Sequence, residues 1–307
     1  MPSNQMPLGA LPTRFRRERV LVVGCGDVGL RVARELHGRV RLLALTSSPE
    51  RVPVLRQRGL LPLQGNLDDR HSIARLAGLA TRLVHLAPPP GEARVATDPR
   101  TTTLLRALRL RTPPASIVYG STTGVYGDCG GEKVSECRMV SPRTSRASRR
   151  VDAEQALRFF GRSAAVRASI LRIPGIYAPD REGGTPRERL LKRTPVLRPQ
   201  DDVYTNHIHA DDLARAVVAA LWRGRPQRVV NTVDDTEMKM GDWFDLAADV
   251  YGLARPPRVA REQAQGALPI AVLSFMGESR RLDNTRLKRE LRLRLRYPTV
   301  DHGLRSG

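Results

Sequence analysis

An α/β fold with a doubly wound parallel sheet is predicted by three features of this 307-residue chain. Short apolar runs alternate with segments of helical periodicity from Arg19 to Ile173, the rhythm of parallel strands joined by right-handed crossovers. The first of these units carries Gly24, Gly26 and Gly29, spaced G-x-G-x-x-G between a strand and a helix. A hydroxyl-rich turn, Gly120-Ser121-Thr122-Thr123-Gly124, then follows a strand at the sheet edge where open α/β folds bind their ligands.

Val20-Leu21-Val22-Val23 is too short for a helix and suits a strand buried on both faces. Gly24 permits a tight turn out of it, Gly26 lets a pyrophosphate approach the backbone, and Gly29 lets helix and strand pack closely. Asp27 and Val28 open the helix, whose apolar residues Val28, Val32, Ala33 and Leu36 share one face before Gly38 stops it. Exposed N–H groups and the positive end of that helix attract a dianionic ligand, so dinucleotide binding is expected over a merely structural turn.

Val40 to Thr46 reads as the second strand, and Ser48-Pro49 as the capped start of a helix. An acid at the end of strand two selects NAD; its absence, with a basic group nearby, suits the 2′-phosphate of NADP. Here the residues are Thr46, Ser47, Ser48 and Arg51, with no acid before Glu50, so NADP is expected rather than NAD. Leu60 to Leu63 forms strand three and leads into Asn66, Leu67 and Asp68 on the cofactor side. Asp68 either holds the adenine edge or caps a helix beginning near Ser72. Leu83 to Ala87 is strand four. Leu86, Ala87 and Pro88 lead into a stiff proline loop at the height of the nicotinamide ribose, and His85 packs in the core. A helix over Thr101 to Arg111, strand five over Ser116 to Gly120, a helix over Arg149 to Phe160 and a strand over Val166 to Ile173 complete the main unit.

Composition narrows the function classes. The net charge is +21, and of 52 basic residues only Lys133, Lys192, Lys239 and Lys288 are lysine, leaving 48 arginines. They are spread along the chain rather than gathered in a patch interleaved with aromatics, so nucleic-acid binding is not expected. The excess charge would help to attract a phosphorylated cofactor. No apolar run approaches a membrane span. Residues 1–18 carry Pro2, Pro7 and Pro12 and lack a secretory apolar region, which reads as a disordered leader on a cytoplasmic protein. Cys25, Cys129 and Cys137 have no metal-site spacing. His207 and His209 alternate on an extended segment, so no metal is expected. Asp211 or Asp212 caps the amphipathic helix from Leu213 to Leu221, and His209 can equally be held in a hinge. The last helix is read over Asn284 to Leu291.

Taken in order, GCGDVG (24–29), STTGVYGD (121–128), LRIPGIYAP (171–179), NHIHADDLARAV (206–217), VVNTVDDTEMKMGDWF (229–244) and SFMGESRRLDNTRLKREL (274–291) resemble the extended branch of the short-chain dehydrogenase/reductase superfamily. The likeness is to its atypical NAD(P)-dependent epimerases and dehydratases. The resemblance implies a Rossmann domain over 19–175 and a smaller C-terminal substrate lid over 176–307, with 206–233 returning to the Rossmann domain. It also implies a small-molecule substrate, sugar-like or anionic, and a homodimer through the helices near Thr101 to Arg111 and Arg149 to Phe160.

The family's chemistry, carried onto this chain, gives Thr122 the substrate oxygen. Its Tyr-x-x-x-Lys pair falls, counting back from Glu154, on Arg146 and Arg150. A guanidinium does not give up its proton in a protein, so Arg146 cannot carry the proton as tyrosine does. Arg150 keeps the capacity to bond a cofactor ribose or an anion. Tyr126 is then the nearest proton carrier by sequence, with Tyr177 behind it, against the alternative that Tyr126 is a packed aromatic. Two readings follow: an NADP-dependent oxidoreductase or epimerase, and a non-catalytic protein that senses NADP.

Overall fold

Alternation of apolar side chains along the first strand explains why the chain forms a layered structure. In β1 (Arg19–Val23), Val20 and Val22 face one hydrophobic cluster while Leu21 and Val23 face another, and all four are buried. The computed structural model describes residues 18–91, 96–267, 273 and 276–306. The leader expected over 1–18 lies outside the described residues except for Glu18.

Four more strands follow: β2 (Arg41–Thr46), β3 (Leu61–Gln64), β4 (Arg82–His85) and β5 (Ser116–Thr122). After the short β6 (Lys133–Val134), β7 (Arg167–Ile173) rejoins the sheet. The strands β8 (Gly175–Tyr177), β9 (Val196–Leu197), β10 (Tyr204–Thr205) and β11 (His207–His209) then precede β12 (Arg228–Asn231), the last strand of the main sheet. The sheet order is β12-β7-β5-β4-β1-β2-β3, parallel throughout. This is the doubly wound α/β fold expected. The order reverses between β1 and β4, and their C-terminal ends open the crevice that such sheets use for ligands.

Helices α1 (Asp27–Leu36), α2 (Val52–Gln57), α3 (Arg70–Ile73), α4 (Pro99–Leu108) and α5 (Ser145–Ser163) connect the strands. Beyond the sheet come α6 (Arg187–Leu191), α7 (Ala210–Arg223) and α8 (Met240–Tyr251). α1 and α7 cover one face of the sheet, α4 and α5 the other. β8 pairs with β11, which leads directly into α7. A third cluster, including Tyr177, Leu190, Trp243 and Phe244, holds the C-terminal layer together.

Several local expectations are corrected. The α3 helix starts at Arg70 rather than near Ser72, and its cap is Asp69, which accepts from His71 N at 2.9 Å; Asp68 does not cap it. The α7 helix is capped by His209, whose Nδ1 accepts from Asp211 N at 3.2 Å, because both acids are drawn elsewhere. Asp211 pairs with Arg31 and Arg34, while Asp212 receives the amides of Arg296 and Tyr297. Ser48 precedes only a 3₁₀ turn, Pro49–Arg51, and makes no side-chain cap. β5 runs on to Thr122, and α5 begins four residues before Arg149, capped by Thr144. The final predicted helix shortens to Thr285–Arg289, with Arg292 at φ 51 turning the chain away.

His85 is a core residue. Its Nε2 lies 2.9 Å from Thr101 Oγ1, whose proton goes to Asp98 Oδ2 at 2.8 Å. Burial pushes the His85 pKa down to about 3 and that of His207 down to about 4. Unfolded histidine titrates near 6.5, so stability from keeping these rings neutral is present above that value and is lost as pH falls toward the folded values. Each histidine should withdraw about 2 kcal/mol by pH 5. Burial raises the Asp234 pKa, which acts in the opposite direction, so the comparison is made by difference. Urea unfolding at about pH 7 and pH 5 should show a smaller loss in His85→Gln than in the wild type. Equal losses would contradict the neutral-core assignment.

Candidate functional site

Each glycine of the loop between β1 and α1 has a distinct environment. Gly24 sits at φ +88, and a Cβ there would overlap the backbone of Leu86 and Ala87. A Cβ on Gly29 would stand 2.7 Å from the Gly24 carbonyl oxygen and 3.3 Å from Val22 Cγ1, which accounts for the close helix–strand contact. Gly26 differs: a Cβ there would meet no protein atom within 4 Å. The loop thus leaves open space at the N-terminus of α1, where a phosphate would meet free N–H groups. The residues present fit the pyrophosphate of a dinucleotide.

Of the predicted cofactor residues, Leu86, Ala87 and Arg51 reach this loop or the strand that enters it. Leu86 N and Ala87 N both bond the Val23 carbonyl, at 2.7 and 3.2 Å, which draws the end of β4 against the glycine turn. The second strand ends on Thr46, whose hydroxyl bonds the Ser48 backbone at 3.2 Å, with Ser47 exposed beside it. Arg51 Nη2 donates to the Cys25 carbonyl at 2.6 Å, so its guanidinium crosses from the second unit onto the glycine loop. Asn66 Oδ1 accepts from Asp68 N at 3.0 Å, and Leu67 is buried. Arg100 grips Asp68 with two bonds, 2.8 and 2.6 Å, which hold its carboxyl below the usual carboxylate range, and reaches the Pro88 carbonyl at 3.3 Å.

Beyond the glycine loop lies a cleft of about 620 Å³, whose walls include Val28, Leu86, Thr122, Arg146 and Arg150. Thr122 ends β5 with Oγ1 accepting from Gly124 N at 3.3 Å. Arg150 is buried; its Nη1 donates to Tyr119 OH at 2.9 Å and to the Gly120 carbonyl at 2.7 Å, while its Nε has no partner. Arg146, one turn earlier, stands at the cleft wall with its outer part exposed. Partial burial and the neighbouring Arg150 charge hold its pKa below the ordinary arginine value.

Of the two readings open for Tyr126, its packing is that of the buried aromatic rather than of a group facing the cleft. The 3₁₀ turn Thr123–Tyr126 directs its ring inward, beneath the Arg172 guanidinium at 4.6 Å. There its hydroxyl donates to Asn231 Oδ1 at 2.7 Å, and burial raises its pKa. Tyr177 touches the cleft, yet its hydroxyl donates to the Thr299 carbonyl at 3.1 Å and its pKa is also raised by burial. Behind Thr122, Glu154 accepts from Ser121 Oγ at 2.6 Å and from Arg172 Nε and Nη2 at 3.1 and 2.7 Å, a buried network beneath the cleft floor.

Sequence reasoning missed several cleft residues. Arg181 and Arg189 follow β8, and Tyr204, Glu278 and Arg280 arrive from farther along the chain. Arg189 stacks on Phe244 at 4.4 Å, and its Nε and Nη2 are buried without partners. Arg280 Nη1 bonds both the Gly127 carbonyl and Glu278 Oε2 at 2.7 Å. For Arg181 and Arg189 the sequence signal was the density of arginine, which does not distinguish them from solvated ones, while Glu278 and Arg280 lie within the motif over 274–291. Among the described residues, no group of three or more His, Cys, Asp or Glu side chains is placed to hold a metal ion, and no helix is long and apolar enough to cross a membrane.

A doubly wound parallel sheet with a glycine loop and an adjoining cleft at its switch point is the build of nucleotide-binding α/β proteins. A family model described as the NAD dependent epimerase/dehydratase family matches residues 20–232, and the chain belongs to that family. No curated protein matches the chain. Among solved structures, a functionally unknown conserved protein from Silicibacter pomeroyi is 28% identical, with a TM-score of 0.78, covering 94% of this chain and 97% of the other. A UDP-glucose 4-epimerase from Thermotoga maritima, solved with UDP-glucose, is 19% identical with a TM-score of 0.77, covering 94% and 96%. A dTDP-glucose 4,6-dehydratase from Streptomyces venezuelae, solved with NAD, is 20% identical with a TM-score of 0.75, covering 94% and 95%. At these identities the last two show a shared fold.

Proposed function

We propose that the chain binds NADP on the glycine loop and takes a small anionic, sugar-like substrate in the adjoining cleft, as an oxidoreductase or epimerase working without a tyrosine–lysine pair. Charge carries this reading. Arg146, Arg150, Arg181, Arg189 and Arg280 line one cleft, and Glu278, the only carboxylate on its wall among the described residues, is already bonded to Arg280. Such a concentration of positive charge in a partly enclosed site draws in anions and penalises neutral ligands less well matched to it.

The bound dinucleotide supplies a hydride donor or acceptor. The chain's own residues do the rest: Thr122 holds a substrate oxygen, Arg150 orients the ribose or an anion, and Arg146 and Arg189 grip the substrate's negative group. The arginines retain their protons, and the hydroxyls of Tyr126 and Tyr177 are committed inward. Of the proton carriers left on the cleft wall, Glu278, Tyr204 and His207, we assign the transfer to Glu278, because His207 is buried and the Tyr204 ring lies beneath the Arg281 guanidinium. The hydroxyl end of β2 and Arg51 across the glycine loop favour NADP over NAD.

The committed tyrosine hydroxyls also favour a second reading, a non-catalytic NADP sensor. One experiment separates the two: NADPH and a panel of sugar phosphates, uronic acids and their neutral analogues are tested for binding and for hydride transfer. Arg146→Ala should weaken the anionic ligand about tenfold, the effect of one lost charge-assisted contact, while NADPH affinity stays unchanged. Hydride transfer in the wild type that disappears in Glu278→Gln, with binding kept, supports the enzyme. Binding without transfer supports the sensor. Neutral analogues binding as tightly as anions would remove the proposed substrate class.

A further inference from the structure

The loop over residues 178–186, between β8 and α6, belongs to two places. It lines the substrate side of the cleft with Arg181, Gly184 and Thr185, and it is fastened to the first turns of α1. Two adjacent residues make the fastening. Asp180 Oδ1 accepts from Arg31 Nη2 at 2.8 Å, and Arg181 Nε donates to Asp27 Oδ2 at 3.1 Å. Asp27 directly follows Gly26, so the Arg181 guanidinium stands at the N-terminal end of the helix that leaves the glycine loop.

The two arginines at this junction differ. Arg31 is buried and fully engaged with Asp27, Asp180 and Asp211; those bonds outweigh the cost of burial and hold its pKa above the ordinary value. Arg181 is half-buried. Its Nη1 donates to the Ile176 carbonyl at 3.0 Å, and its Nη2 has no partner among the described residues. A tight turn sets its direction: Arg181 N bonds the Ala178 carbonyl at 3.2 Å, and Gly184 N bonds the Arg181 carbonyl at 2.9 Å. A side chain on Gly184 would stand 2.6 Å from the Ala178 carbonyl oxygen and 2.8 Å from Arg181 Cβ, so the turn tolerates little else there.

Resting on the dinucleotide reading above, we propose that Arg181 is a ligand of the cofactor's pyrophosphate, delivered by a loop that also forms the substrate wall. Two electrostatic effects act in the same direction. The spare guanidinium N–H groups meet phosphate oxygens beside the open space at Gly26. Together with Arg31, the same cation neutralises Asp27, whose carboxylate would otherwise repel a dianion at the helix terminus. Because α6 and Arg189 follow this loop, an occupied cofactor site steadies the substrate wall, which fits cofactor binding before substrate.

The test compares ligands with and without a pyrophosphate on the full chain. Arg181→Ala should weaken NADPH and ADP-ribose about tenfold or more, as for loss of a hydrogen bond to a charged group, and change adenosine 2′-monophosphate, which has no 5′-phosphate, by less than about twofold. Arg181→Lys should recover part of the NADPH affinity. Asp180→Asn, which loosens the loop but keeps the cation, should cost less than Arg181→Ala and spare the same fragment. Unchanged NADPH affinity in Arg181→Ala, or an equal loss for the fragment without a pyrophosphate, overturns the assignment. Failure of the dinucleotide reading would look different, because the wild type itself would bind neither NADPH nor NADH.

Discussion

Gly26→Leu is expected to abolish dinucleotide binding while leaving the folded chain as stable as the wild type. The backbone at Gly26 is extended, φ −78 and ψ −155, a conformation open to any residue, and a Cβ there meets nothing within 4 Å. The first atom of a side chain therefore costs the protein no clash, and a leucine growing from it enters the space that a pyrophosphate needs in order to approach the helix terminus. Affinity should fall at least about a hundredfold, since the ligand loses both its cradle and its contact with the N–H groups. The neighbouring position makes the contrast. Gly24→Ala must overlap the Leu86–Ala87 backbone and adopt a positive φ, so it lowers stability as well as binding. Thermal unfolding beside a binding titration distinguishes the two classes of loss. A Gly26→Leu protein that unfolds early, or one that still binds, would contradict the role assigned to this glycine.

Glu154→Ala is expected to have the largest effect on stability. Glu154 and Arg172 have side chains only 4% and 3% exposed, and together with Ser121 they form a closed set of bonds. Removing the carboxylate leaves the Arg172 guanidinium buried with the Tyr126 ring as its main neighbour and with Nη1 already lacking a partner. Breaking one partner from a buried pair costs about 3–5 kcal/mol. Glu154→Gln keeps the shape and one acceptor, so it should fall between wild type and alanine. Urea denaturation gives the comparison directly. Loss of less than about 1 kcal/mol in Glu154→Ala, the level of an exposed pair, would mean that the network is solvated rather than buried. The network also matters to the site, because Ser121 precedes Thr122 and Arg172 lies on the strand beside it.

What could be read from the sequence was local. The strand–glycine–helix unit needs only neighbours within the first turns of α1, and β1, α1 and the parallel sheet stand where apolar periodicity placed them. The positions of Arg146 and Arg150 came from the resemblance, by counting back from Glu154, and they share a cleft wall. Tyr126 was illegible because nearness to Thr122 in sequence says nothing about which side of a turn a ring takes. Its partner, Asn231, lies 105 residues away on β12. The cap of α7 was misread for a related reason: Asp211 and Asp212 are claimed by Arg31, Arg34 and the amides of Arg296 and Tyr297, none of them local. Arg181 and Arg189 were hidden among many other arginines, and only tertiary packing separates those aimed into the cleft from those in water.

The central claim is that the open space at Gly26 receives the linked phosphates of a nicotinamide dinucleotide. Titrating the full chain with NADPH and NADH, read by reduced-nicotinamide fluorescence and set beside Gly26→Leu, tests it most directly. Saturable binding to the wild type, tighter for NADPH than for NADH and absent in the variant, is the predicted result. No saturable binding of either dinucleotide to the wild type, or binding unaltered by leucine at position 26, would contradict it.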